Sequence, residues 1–203
     1  MKNTSKIRSR GRPTTFHRES VVSLAMNCYW HEGVNSLSIN ELCRRLNIAK
    51  PTLYREFGGE DGLLQAALEH YTKEVLQSLL LITTQAPTLQ IGLQEVIVTT
   101  TSKSPPIGCL FVKMRQNKVK LGPKSCILVE QLQEKLQSLY MELVATEQKK
   151  GLLRADIDTA LAAKYIDTQL MMTAEQMSRG EDKEIVQKQA ELALSVLFQS
   201  NRQ

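Results

Sequence analysis

Turn-forming residues are scarce in this chain of 203 residues, with ten glycines and six prolines, about 8% of the total against roughly 12% in average usage. That shortage, beside abundant Leu, Ala, Glu, Gln and Lys, excludes an all-β sandwich of many short strands and predicts helices. Long apolar runs are missing as well. None approaches the roughly 18–20 residues of a membrane span, and the basic N-terminus is followed by no apolar signal core, which predicts a cytoplasmic protein with no membrane partner. Cysteine is limited to Cys28, Cys43, Cys109 and Cys126, without a Cys-x-x-Cys pair, and His17, His31 and His70 lack ligand spacing. Neither a disulfide framework nor a metal site is expected, and the thiols read as small buried hydrophobes of a reducing compartment. Met171, Met172 and Met177 read as core packing rather than a soft-metal site. No Gly-rich phosphate loop, nucleophile elbow or His-Glu-x-x-His motif occurs, so neither an enzyme nor a cofactor is expected.

What the chain does have is a lopsided charge. Its composition, 42% hydrophobic and 23% charged, is that of a globular protein with a sizeable core. Residues 1–57 carry ten Lys or Arg against four Glu, whereas the remainder carries sixteen basic and seventeen acidic side chains. A basic quarter joined to a nearly neutral remainder is the footprint of one end meeting a polyanion. Lys2, Lys6, Arg8, Arg10 and Arg12 concentrate that charge in a segment with almost nothing apolar. Residues 1–16 read as a flexible arm whose arginines enter a minor groove, the alternative being a solvated tail.

Helical spacing organises the chain beyond the arm. Val21, Val22, Leu24, Ala25, Cys28 and Tyr29 recur along a helix from Arg18 that Gly33 stops. Ser38 with Glu41 three residues on reads as a capping box, starting a short helix at Ile39 that Asn47 breaks. A third helix comes after Asn47-Ile48-Ala49, with Pro51 tolerated in its first turn and Gly58-Gly59 closing it. Two short helices joined by about three residues fit a helix-turn-helix.

The stretch Val21 to Leu68 resembles the DNA-binding domain of the tetracycline-repressor (TetR) family, through Ser38-Ile39-Asn40-Glu41-Leu42, Asn47-Ile48-Ala49, Lys50-Pro51-Thr52-Leu53-Tyr54-Arg55-Glu56-Phe57, the Gly58-Gly59 turn and Leu63-Leu64. The resemblance implies an all-helical homodimeric repressor, with a helix-turn-helix domain over 17–59 and a larger effector-binding and dimerisation domain over 60–203. A recognition helix presents its first turns to base edges. Here those turns offer Lys50 and Arg55 as donors to guanine, Thr52 for a thymine methyl or a phosphate, and Pro51 beside them. Tyr54 resembles the family tyrosine that reaches backbone phosphate, and Ser38 at a helix N-terminus suits a phosphate as well. Glu56 and Glu60 depart from the family, which often carries His and Lys at these positions.

Beyond residue 60 the pattern predicts one helix to about Ala86, with Leu63, Leu64, Ala67, Tyr71, Val75 and Leu79 inward, and another over 89–101. Further helices are expected over 109–120, from Pro123 to about Lys150, from Asp156 to about Ser178, and from Asp182 to about Gln199. Ile157, Leu161, Tyr165 and Leu170, then Ile185, Leu192 and Val196, form apolar stripes suited to a two-fold four-helix interface. Phe111, Tyr140 and Tyr165 are candidate linings for a pocket holding an unidentified small-molecule effector. Pro106-Ile107-Gly108-Cys109-Leu110 resembles an element found in the regulatory domain of some family members. The expected function is a repressor that an effector releases from a palindromic double-stranded operator. Two alternatives stand beside it: a helical interaction module with a degenerate helix-turn-helix, and a thiol-based redox sensor acting through Cys109.

Overall fold

The computed structural model describes residues 16–102, 104 and 106–199; residues 1–15, with Arg8, Arg10 and Arg12, lie outside the described residues. Phe16, assigned above to the arm, packs edge-on against Phe57 with ring centroids 6.4 Å apart. Helix α1 (Arg18–Glu32) ends at Gly33, whose φ of 92° suits a residue without a side chain. It buries Val21, Val22, Ala25, Met26, Tyr29 and Trp30. Leu24, expected on that face, is 49% exposed, because the buried stripe repeats at 21-22, 25-26 and 29-30.

Helices α2 (Ile39–Arg45) and α3 (Lys50–Phe57) form the helix-turn-helix. Ser38 accepts the Glu41 N–H at 3.3 Å, so one half of the capping box forms. The other half does not, because the Glu41 carboxylate turns instead to Arg44 at 2.6 Å and Arg45 at 2.7 Å. Those hydrogen bonds hold its carboxyl down to about 2. Asn47 takes φ 51°, and the Ile48 and Asn47 N–H groups return to the Cys43 and Arg44 carbonyls at 3.0 and 3.2 Å. This pairing, with asparagine in the left-handed position, closes α2 and aims α3.

Helix α4 (Glu60–Tyr71) runs through a π-helical turn, Thr72–Leu76, into α5 (Gln77–Gln85). The wider turn inserts one residue into the repeat. After Tyr71 the buried position is therefore Leu76, while Val75 and Leu79, expected inward, are only half-buried. Helices α6 (Leu89–Thr101), α7 (Leu110–Gln116), α8 (Pro123–Lys149), α9 (Thr159–Ser178) and α10 (Lys183–Ser195) complete the chain. Helix α7 ends before a 3-10 turn at Lys118–Lys120, and α10 stops short of Gln199. There Phe198 pairs in an antiparallel bridge with Leu153. At 1.5 Å per residue α8 is about 40 Å long. It packs along α9 and against α4, and short α7 touches α1, α4, α8 and α9. One apolar cluster runs from Val21 to Phe198.

Candidate nucleic-acid interface and interior cavity

Helix α3 sorts its residues by face. Leu53 and Phe57 are buried, whereas Lys50, Pro51, Tyr54 and Arg55 are exposed and Thr52 is half-buried. Positions 50, 51, 54 and 55 share one side of the helix, so core contacts through 53 and 57 turn those four outward together. Arg18 stacks over the Phe57 ring at 5.1 Å, which adds a cation beside the helix end. Arg55 is not an isolated charge, since its guanidinium pairs with Glu56 at 2.8 Å. The Ser38 oxygen is already engaged as the α2 cap. Glu60 opens α4 half-buried; burial pushes the Tyr29 and Cys43 groups up, and the Glu60 charge adds to it.

One basic residue near this face escaped sequence reasoning. The Lys124 ammonium, from the first turn of α8, reaches over the α3–α4 turn, where a methyl placed on Gly58 would stand 3.4 Å from its Nζ. It is brought there by Asp61 of α4, whose carboxylate accepts the Lys124 and Ser125 backbone N–H groups at 2.9 and 3.1 Å. Gly122, the residue before α8, has no side chain to cap that helix, and Asp61 does so from outside. A Cβ on Gly122 would fall 2.3 Å from the Asp61 Cγ.

A second joint ties α1 and α4 to α7. Trp30 donates its indole N–H to the Gly108 carbonyl at 3.0 Å and packs edge-on against Tyr71, ring centroids 4.9 Å apart. The Tyr71 hydroxyl donates to Cys109 Sγ at 3.1 Å, and Lys113 Nζ donates to the Trp30 carbonyl. Gly108 is required here: its φ is 67°, and a Cβ would meet the Ala174 carbonyl oxygen at 2.6 Å.

Cys109 also faces an interior cavity of about 70 Å³ between the π-turn with α5, α6, α7, α8 and α9. Phe111 and Tyr140, two of the three aromatic candidates, line it together. Tyr165 does not; its hydroxyl crosses to the Ala193 carbonyl at 3.0 Å and fastens α9 to α10. Periodicity alone could not separate these roles, because both place an aromatic ring on an inner face. Arg115 and Asp167, 52 residues apart, form a two-pronged ion pair at 2.9 and 2.8 Å. With Met171 they line both the cavity and an open groove between α8 and α9, and so form the partition between them. Met172 faces outward and Met177 the core, so the three methionines do not converge. All four cysteines are free thiols; Cys43 is buried, and Cys28, Cys109 and Cys126 are half-buried. Among the described residues no group of three His, Cys, Asp or Glu is placed to hold a metal ion, and no helix is long and apolar enough to cross a membrane.

A capped, outward-facing helix-turn-helix fused to a helical domain with an internal cavity defines a transcription regulator. Residues 21–67 match the N-terminal domain pattern of the tetR family of bacterial regulatory proteins. The chain is 25% identical over 168 residues to the HTH-type transcriptional repressor ComR of Escherichia coli K12, covering 79% of each chain. A shorter match, 34% over 61 residues, links 30% of this chain to 31% of the HTH-type transcriptional repressor BdcR of the same organism. Among solved structures, a cysteine-substituted form of the TetR-family regulator CifR, complexed with 26-base-pair operator DNA, superposes with a TM-score of 0.78. Identity is 25%, over 92% of this chain and 100% of that one.

Proposed function

We propose that this protein is a cytoplasmic homodimeric repressor that binds a palindromic double-stranded DNA operator through α3 and leaves it when a small effector, not a cofactor, enters the interior cavity. The observation that carries the reading is the shared outward face of Lys50, Pro51, Tyr54 and Arg55, backed by buried Leu53 and Phe57. Lys50 and Arg55 supply donors for guanine edges, Thr52 and Pro51 apolar contact, and Tyr54 and Ser38 phosphate contact. The basic arm adds phosphate and minor-groove contacts. Exposed Leu161 on α9, Ile185 and Leu192 on α10, and Val196 just past it supply the apolar surface for a two-fold interface that sets the spacing of two recognition helices. The operator complex of CifR, a relative of like fold, supports the same mode here. An effector acts by binding better to a protomer spacing that misfits successive major grooves. This regulatory role needs no enzymatic step.

The test is binding to the DNA upstream of the protein's own gene, beside a random duplex of equal length, at several salt concentrations. Lys50→Ala is expected to weaken binding to the specific site by roughly 5- to 150-fold, the equivalent of about 1–3 kcal/mol, and binding to random DNA far less. Equal affinity of the wild type for both duplexes overturns the reading.

A further inference from the structure

The interior cavity carries enough chemistry to restrict its ligand. Most of its wall is apolar, from Leu76, Leu79, Leu80, Phe111, Leu136 and Leu170. Two charges reach it, Arg115 and Asp167, with side chains 12% and 18% exposed, and each is spent on the other. The pair is neutral as a unit. A charged ligand would shed its hydration and meet one attractive and one repulsive group at similar range, without net gain. Tyr140 differs from both. It is only 6% exposed, lines the cavity near Cys109, Arg115 and Asp167, and its hydroxyl has no hydrogen-bond partner among the described residues. Acceptors close to it are already engaged, the Asp167 oxygens by Arg115 and the Cys109 sulfur by the Tyr71 hydroxyl. A phenol O–H left unpaired in an apolar cavity is a donor awaiting an acceptor. The cavity volume of about 70 Å³ is roughly half that of an apolar protein cavity that takes up benzene, which suits a ligand part of only a handful of heavy atoms.

We propose that this cavity binds a small, uncharged, largely apolar molecule carrying one hydrogen-bond-accepting oxygen, to which Tyr140 donates. The inference rests on the effector reading above for its biological role, but its chemistry is tested without DNA. Three probes of five heavy atoms separate the contributions: butanone, with the acceptor; 2-methyl-1-butene, with the same shape and no acceptor; and propionate, with a charge. Ligand-observed NMR is expected to give butanone an affinity about 3- to 10-fold above the alkene, the worth of one neutral hydrogen bond, and no binding of propionate. Tyr140→Phe, checked for folding by circular dichroism, is expected to abolish the preference for butanone while leaving the alkene unchanged. Propionate binding as tightly as butanone overturns the proposal, as does equal affinity of ketone and alkene for the wild type, a comparison that needs no variant. If butanone binds as described yet DNA affinity does not change, the effector reading falls and the ligand class stands. If DNA fails to bind at all, the NMR outcome is unaffected.

Discussion

Asp61 of α4 and Gly122 together form the cap of α8, and the structure fixes what removing it should cost. Two helix N–H groups of α8, from Lys124 and Ser125, donate to the Asp61 carboxylate at 2.9 and 3.1 Å. An N-cap is worth about 0.5–2 kcal/mol, and hydrogen bonds to a charged group somewhat more than neutral ones. Asp61→Ala should therefore cost about 2 kcal/mol. Gly122→Ala acts through the same contact. The backbone there has φ −73° and ψ 169°, open to any residue, but the new methyl would stand 2.3 Å from the Asp61 Cγ and drive the carboxylate off the helix end. Each single variant, and the double variant, should thus lose about the same 2 kcal/mol, a coupling of nearly the whole effect. For a chain of this size that lowers the melting temperature by about 4–8 °C. Urea denaturation followed by circular dichroism, at fixed protomer concentration, measures it. The pH dependence has a definite sign. Burial alone would raise the Asp61 carboxyl, but hydrogen bonds from Ser125 and the Lys124 and Ser125 N–H groups outweigh it and hold it below the usual range. A depressed carboxyl contributes stability that is present above its unfolded value near 4 and lost as pH falls through its folded value. Wild type and Asp61→Ala should differ fully at neutral pH, begin to converge as pH falls below about 4, and meet only below the depressed folded value. A Gly122→Ala penalty that persists undiminished in the Asp61→Ala background refutes the shared cap.

Three further outcomes are expected. Glu60→Lys places a cation where relatives of this family often carry one, and should steepen the log–log salt dependence of DNA binding by about 0.9 per protomer; a slope that does not move puts residue 60 away from phosphate. Deleting residues 1–12 should weaken binding to all DNA and flatten that slope, and an unchanged slope would make the arm a solvated tail. Leu192, 73% exposed, should tolerate Glu within one protomer yet shift the protein to monomer in light scattering; a persistent dimer places the interface elsewhere.

Local signals carried the helix-turn-helix end of the molecule. Ser38, Gly33, Asn47 and the Gly58-Gly59 turn act through neighbours in sequence, so their meaning is legible without the fold. The rest depends on partners far along the chain. Nothing in Thr72-Lys73-Glu74-Val75-Leu76 announces a π-turn, which packing selects by burying Leu76 in place of Val75. Gly122-Pro123 signals a helix start without a capping side chain, a gap that hints at an acceptor from elsewhere but does not name Asp61. Arg115 and Asp167 read in sequence as solvated charges, and only the approach of α7 to α9 turns them into a partition. Tyr140 and Tyr165 carry identical signals, yet one faces a cavity and the other closes a helix pair.

These long-range contacts converge on α4. At its N-terminal end Asp61 is bonded to the start of α8; at its C-terminal end Tyr71 is bonded to Cys109, which lines the cavity. Between them lies a helix of 12 residues, about 18 Å long and stiff on that scale. Helix α1 packs along it, α3 contacts it, and Trp30 of α1 is itself pinned to the Gly108 carbonyl beside Cys109. The helices of the helix-turn-helix are therefore not tethered by a loose linker. They are mounted on a rod whose two ends are bonded to the start of α8 and to Cys109 beside α7. A ligand that displaces α7 or α8 must either break these hydrogen bonds or carry α4 along with them. Packed interfaces shift between discrete arrangements more readily than they deform, so the second course moves α1 and α3 as a unit. The stability of the Asp61 and Tyr71 joints thus bounds how large a differential affinity an effector can transmit to DNA.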